Sequence, residues 1–352
     1  MESSTAAITA FWREFADTEA ALHAMPLRER VEEGNVLLER HLEGLALEMS
    51  GGDGDAVVDL IVTAHGSIDC FPLLMQVVAA APRLQHHALR AFRERTQQPD
   101  FPIGMDGFEL STSEVLITCS QDDGQAALEI RFGREIPQDF QDHARNMAFI
   151  MIDHVLGEYD FAVKVGAVDF VEESADPDAE WTPLSQLPPV FDRYWRETLG
   201  RTGVFPTGEH RWSALTIAFG HTDGTDGTDS GVAGESQDTA IVMVNSSANP
   251  VAMRADLAYA ITLDLAVGDR EELEVAQDLH NQAATLLELP QLGILAYTMS
   301  RNGRRKAVYY VGDEQLAKQT LAPLLLRDEA ASLEVSTTFD PAWSGYFEFA
   351  VH

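Results

Sequence analysis

Lysine is almost missing from these 352 residues: Lys164, Lys306 and Lys318 are the whole complement. Arginine is not scarce, yet 24 Lys+Arg face 57 Asp+Glu, and the formal net charge is −33. The deficit is not confined to a tail, since residues 1–176 hold 32 acidic and 12 basic side chains. A surface of this sign repels nucleic acid and anionic membranes over most of its area and attracts a basic protein. The same surplus also serves solubility or tolerance of salt. Cysteine is scarce too. Cys70 and Cys119 cannot build a disulfide framework or a cysteine-rich zinc site, a usage expected of a reducing cytosol. No apolar run reaches the roughly 18 residues that cross a bilayer. The opening MESSTAAITAFWREF lacks the basic and apolar regions of a signal peptide. GxxxxGK[ST], GxGxxG, GxSxG and CxxC are all absent. Phosphate-loop, dinucleotide, α/β-hydrolase and thioredoxin-like readings lose their usual support.

What is present is ordinary globular composition, 45% hydrophobic and 23% charged, at a length that asks for about two domains. Residues 4–48 carry helical periodicity: Phe11 and Phe15 are four apart, and Val31, Leu38, Leu42 and Leu45 extend a one-sided stripe. Pro26 divides it into two helices. A turn at 50–55 precedes a strand at 57–63, a helix at 71–81 and a short strand at 88–93. Strands at 114–120 and 126–132, a helix at 138–156 and a strand opening at Phe161 follow. The Pro-rich ESADPDAEWTPLSQLPP predicts a linker at 173–190, between domains at 1–172 and 191–352.

In the second half, strands at 212–220 and 239–244 flank TDGTDGTDSGVAGESQD. Its repeated Asp-Gly lacks the terminal Glu and flanking helices of a calcium loop and reads as a solvated hairpin loop. An alternating strand at 259–267 leads to a helix opened by Asp269 and Glu272. Leu295 to Val311 forms a hairpin turned at Asn302-Gly303, because a type I′ turn needs two positive φ values. A helix from Asp313, stopped or kinked by Pro323, and a strand at 333–339 close the order. Both halves contain a split β-α-β pattern. The expected fold is α+β: two ferredoxin-like sandwiches in tandem, preceded by N-terminal helices.

Three stretches of the second half run in a telling order: ITLDLAV at 261–267, GILAYTMSRNGRRKAVYYV at 293–311 and DPAWSGYFEF at 340–349. Together they resemble the bacterial domain of unknown function 695 family. That family is distantly similar to the regulators of ribonuclease E activity of the B type, which are acidic, ferredoxin-like and non-catalytic. TAHGSIDCFPLLMQVVAAAP at 63–82, HALRAFRER at 87–95 and DHVLGEYDFAVKVGAVDF at 153–170 resemble an uncharacterised domain that often precedes it. The resemblance implies a cytosolic bacterial binding or regulatory protein without cofactor, acting on a basic protein segment as a ribonuclease regulator would. An immunity or antitoxin-like protein against a basic toxin is the alternative, as is an enzyme.

An enzyme would draw on His65, Asp69 and Cys70, where a thiolate beside an imidazole makes a nucleophile pair. It could also draw on Asp153, His154, Glu158 and Asp160, where His154 and Glu158 at i,i+4 share a helix face. Neither carries a family signature, and a strand-to-helix turn and a polar helix end explain them equally. His86-His87 reads as a strand entry with one ring in and one out. Arg301, Arg304, Arg305 and Lys306 form the one dense basic cluster, either protecting a hairpin edge or contacting an acidic group. Tyr309 and Tyr310 lie beside it, but the net charge opposes RNA binding. Trp343, Tyr346 and Phe349, after the Asp340-Pro341 turn, either seal the sandwich or serve with the arginines as a contact surface.

Overall fold

The computed structural model describes residues 2–105, 107–174, 176–219 and 238–350. It divides into two units between Arg193 and Tyr194. In the first, Glu2–His23 (α1) and Leu27–Glu39 (α2) form either side of Pro26. α1 buries Phe11, Trp12 and Phe15, and the Trp12 indole donates to the Val77 carbonyl at 2.8 Å. The helical stripe expected to reach residue 48 stops at Glu39, and Ala46–Ser50 is a strand, β1. The Asn35 amide explains the break. It donates to the Leu47 carbonyl and accepts from the Leu47 amide, both at 2.8 Å. Those are the two backbone groups a continuing helix would need.

Val58–Thr63 (β2), Phe71–Ala79 (α3) and His87–Ala91 (β3) complete a sheet of order β1-β2-β3, with β2 and β3 parallel. Pro102–Met105 (β4) and Phe108–Ser111 (β5) form a separate ribbon. Val115–Asp122 (β6), Gln125–Phe132 (β7), Gln141–Leu156 (α4), Glu158–Lys164 (α5), Val165–Phe170 (β8) and Thr182–Pro183 (β9) follow. They supply a second sheet of order β8-β7-β6-β9. The single sandwich expected of the first half is therefore corrected to two sheets and a ribbon. Alternation marks which residues face a core, not which strands share a sheet. The strand expected from Phe161 begins only at Val165. Gly157, at φ +82, turns the chain, and 158–164 continue as a helix that buries Val163. The expected linker also packs inward. β9 pairs with β6, and Leu184, Leu187 and Phe191, the last two on Leu187–Arg193 (α6), are fully buried.

The second unit is built on one antiparallel sheet. Its elements are Trp212–Phe219 (β10), Asp238–Asn245 (β11), Tyr259–Ala266 (β12), Arg270–Glu288 (α7), Gly293–Arg301 (β13), Arg304–Val311 (β14), Glu314–Leu325 (α8), Glu334–Phe339 (β15) and Ser344–Phe347 (α9). The order is β10-β11-β13-β14-β12-β15. α7 joins β12 to β13 across β14, so the helix connects two strands that are not neighbours. Asp269 caps α7 by accepting from the Glu272 amide at 2.9 Å, and Glu272 reaches back to the Gly268 amide. Asn302 and Gly303 take φ +50 and +68, as the hairpin turn requires. α7 and α8 cover Ile261, Leu263, Leu265, Leu295, Tyr309 and Val311 on one sheet face. The Gly/Asp-rich loop lies outside the described residues apart from Asp238. Among described helices, none is long and apolar enough to cross a membrane.

One buried group on the inner face of α7 gives the unit a pH dependence. His280 is 1% exposed, and neither ring nitrogen makes a well-formed hydrogen bond, though the Leu263 backbone lies within weak reach. Burial, then the Arg305 charge, pushes its pKa down to about 4. An unfolded histidine titrates near 6.5. Between these values the unfolded chain holds the proton and the folded chain does not, so stability falls as pH drops through this window. The loss from this residue is up to about 3 kcal/mol. His280→Leu removes that contribution. The stability gap between variant and wild type, measured by denaturant unfolding, is expected to shift in the variant's favour from pH 7 to about pH 4.5. A constant gap would contradict the assignment.

Candidate functional site

β2 and β3 run parallel and end side by side, and the crevice beyond the carboxyl ends of parallel strands is where such layers hold ligands. Here a cleft of about 620 Å³ opens between the loops after β2 and β3, helix α4 and the start of β8. His65, Arg93, Asp153 and His154 lie on its polar side, and Phe149, Ile150, Phe161, Val165 and Val168 on its apolar side. The 63–70 and 153–160 clusters, about 90 residues apart in sequence, thus contribute to one site.

Glu158 holds the cleft's frame. It is fully buried, and its carboxylate accepts from the amides of Ala64 at 2.8 Å, Gly66 at 3.1 Å and Arg93 at 3.1 Å. Those amides belong to the segments that follow β2 and β3, so one side chain ties both strand ends together. Its oxygens are committed and do not face a ligand. The Arg93 guanidinium lies between two carboxylates. Its Nε donates to Glu48 at 2.9 Å, and Nη1 contacts Asp153. Two carboxylates against one guanidinium leave one negative charge in excess. His154 adds no positive charge at neutral pH, because burial and then Arg93 hold its pKa below the ordinary histidine range. Phe149 and Ile150 are 39% and 40% exposed on α4, and the Phe149 ring lies 6.5 Å from that of Phe161. The cleft therefore pairs an apolar wall with the Asp153 carboxylate, whose arginine partner is shared with Glu48 outside the lining.

The remaining sequence candidates go elsewhere. Cys70 is not in the cleft wall; its thiol meets the Ser67 hydroxyl at 3.6 Å. Among the described residues no serine, threonine, tyrosine or cysteine lines the cleft, which leaves His65 without a described hydroxyl or thiol to activate there. Asp69 is exposed, and Asp160 pairs with Arg95 and Lys164, both at 2.6 Å. Among the described residues no three His, Cys, Asp or Glu side chains converge as metal ligands. His87 points in, 3.1 Å from Glu19, while His86 is half-exposed and stacks on His23 at 4.1 Å.

The basic hairpin is not an open patch. Arg301 binds Asp238 through two nitrogens and lies over the Phe219 ring at 3.5 Å. Arg304 pairs with Asp264 at 3.0 Å and Glu334 at 2.9 Å, and Lys306 approaches Asp264 at 3.8 Å. Arg305 turns to the helix side and donates to Ser300 and Thr298. Trp343 and Tyr346 are 0% and 1% exposed, so their expected place on a contact surface is corrected to a place in the core. Phe349 is buried as well. Sequence reasoning missed Arg93, Glu48, Phe149 and Phe161 as a group. The available signal was Phe149-Ile150, which falls off the buried stripe of Ala144, Met147, Met151 and Val155 on α4.

The two thiols differ in a measurable way. Burial pushes Cys119 up to about 12, which leaves about one part in ten thousand as thiolate at pH 8. Cys70 is half-exposed. One equivalent of a disulfide reagent such as dithionitrobenzoate is expected to react promptly, and Cys70→Ser to abolish that phase. Two fast equivalents in the folded protein would contradict the shielding of Cys119.

Comparison with protein-family models, with curated proteins and with solved structures returns no match.

Proposed function

We propose that this protein is a non-catalytic binding protein for a basic protein segment, and that the cleft of the first unit receives a cationic side chain. The observation that carries this is the cleft itself: Asp153 stands on its wall with Phe149, Ile150 and Phe161, and the lining arginine, Arg93, is shared with a second carboxylate, Glu48, behind it. An arginine or lysine of the partner would lay its aliphatic stem on the apolar wall and bring its charge to Asp153. The global −33 supports the same choice, because it raises the local concentration of a basic partner before contact. Nucleic acid and anionic membrane are disfavoured by that field. The β12–α7–β13–β14–α8–β15 order is read as a ferredoxin-like core, in keeping with the resemblance to the domain of unknown function 695 family. A regulator or inhibitor in the bacterial cytosol, of the ribonuclease-regulator kind, is the role this reading favours. An immunity-like role would use the same contact with a toxin as partner.

The test uses a peptide series in which one position is Arg, Lys, norleucine or Glu, titrated calorimetrically onto the full chain. Arg and Lys peptides are expected to bind at least about tenfold more tightly than norleucine, and Asp153→Asn to erase the difference with the fold intact. The association rate is expected to fall steeply with salt, since exposed charges are screened beyond about 8 Å at physiological ionic strength. Equal affinity for the norleucine peptide, or full Arg preference in Asp153→Asn, would overturn the reading.

A further inference from the structure

Exposed sheet edges are normally blunted by charge, proline or brevity, because unpaired backbone groups recruit another strand. Edge strands β1, β3, β5, β8 and β15 carry Glu48, Arg90, Glu109, Asp169 and Glu334 respectively. β4 and β9 carry Pro102 and Pro183 and are only four and two residues long. β10 has no such protection. Its eight residues, WSALTIAF, contain no charge, no proline and no glycine, in a chain of net charge −33. Among the described residues only β11 pairs with it, in unbroken register from Trp212↔Asn245 to Phe219↔Asp238. Trp212, Ser213, Ala214, Thr216 and Ala218 are exposed, and Ile241 of β11, on the same sheet face as Trp212, Ala214, Thr216 and Ala218, is 55% exposed.

We infer that β10 is the dimerisation edge of this protein: it pairs antiparallel with β10 of a second copy, continuing the six-stranded sheet across a two-fold axis. The uncharged, self-complementary strand selects a second copy as the occupant. A basic segment gains nothing from an uncharged edge and is drawn instead to the acidic remainder of the surface. Two copies repel each other wherever acidic surfaces meet, and β10 is the longest edge at which backbone pairing brings no side-chain charges together. The strand is also its own complement. Opposed residues of an antiparallel pair share a sheet face. An axis through Leu215 therefore sets Trp212 against Ala218 and Ala214 against Thr216 on one face, and Ser213 against Ile217 on the other. Trp212 and Ile217 meet small residues, Leu215 meets its own copy on the axis, and no like charges are opposed. The inference is independent of the cleft in the first unit.

Sedimentation velocity of the full chain, from about 1 to 100 μM and at about 0.05 and 0.5 M salt, tests it. A dimer is expected whose population rises with salt, because screening relieves the repulsion between two chains of −33. Thr216→Lys, at an exposed position, places a gatekeeper charge on the edge and is expected to weaken dimerisation at least about tenfold without lowering the melting temperature. Hydrogen exchange is read beside it, and the amides of 212–219 are expected to gain protection as wild type is concentrated. A chain monomeric under every condition would overturn the inference. So would a dimer that Thr216→Lys leaves intact and that protects other amides, or a monomer whose 212–219 amides are protected only by a foreign protein.

Discussion

Trp343→Ala is expected to cost the second unit about 3–5 kcal/mol, the range for truncating a large buried aromatic. The indole is completely buried and stacks on Tyr310 at 3.9 Å with 11° between planes. Its Nε1 donates to the Leu257 carbonyl at 2.8 Å, which would lose its partner. Asp340 prepares the site. One carboxylate oxygen accepts from the Ser344 amide at 2.9 Å, and the other from the Tyr310 hydroxyl at 2.6 Å and the Gly345 amide at 3.1 Å. Trp343 itself sits at φ +55, a left-handed conformation that favours glycine. Trp343→Gly therefore recovers up to about 1 kcal/mol of backbone cost relative to alanine while losing the same ring. Denaturant unfolding of both variants measures this. A melting transition unmoved by Trp343→Ala would mean that the ring is not packed, and would return it to the contact surface.

Glu158→Ala is the second large effect, expected at about 3–5 kcal/mol in the first unit. Each buried donor left without an acceptor costs about 1–3 kcal/mol, and three backbone amides depend on this carboxylate. The sum is reduced because water entering the cleft reaches part of what is exposed. Glu158→Gln keeps an acceptor in place and is expected to lose roughly half as much. The readout that separates this from general destabilisation is hydrogen exchange at Ala64, Gly66 and Arg93, which should speed up before the rest of the unit opens. If Glu158→Ala melts like wild type, the strand ends are held by something other than this side chain.

Both effects come from residues whose type was legible and whose partners were not. Alternation and 3.6-residue periodicity were enough to place β2, α3, β6, β7, α4 and, in the second unit, β10 to β15 with α7 and α8, because burial of one face is written into local spacing. The cap at Asp269 and the Asn302-Gly303 turn were legible for the same reason: their chemistry involves only a few neighbouring residues. The global excess of carboxylates over arginines was legible from composition alone.

Partner choice over long separations was decided by the tertiary structure. Period-2 spacing at Phe161, Val163 and Val165 suits a strand, but Gly157 and the burial of Glu158 make 158–164 helical. Asn35 ends a helix by binding Leu47, twelve residues on. The strands of the first half carry the alternation of one sheet yet pair as two sheets and a ribbon, since alternation does not specify a neighbour. Arg301 and Arg304 of the hairpin looked free in sequence and are neutralised by Asp238, Asp264 and Glu334 from other strands. His65 and Asp153 become one site only because β2 and β3 end beside α4, a juxtaposition that backbone pairing and core packing create and that no local spacing encodes.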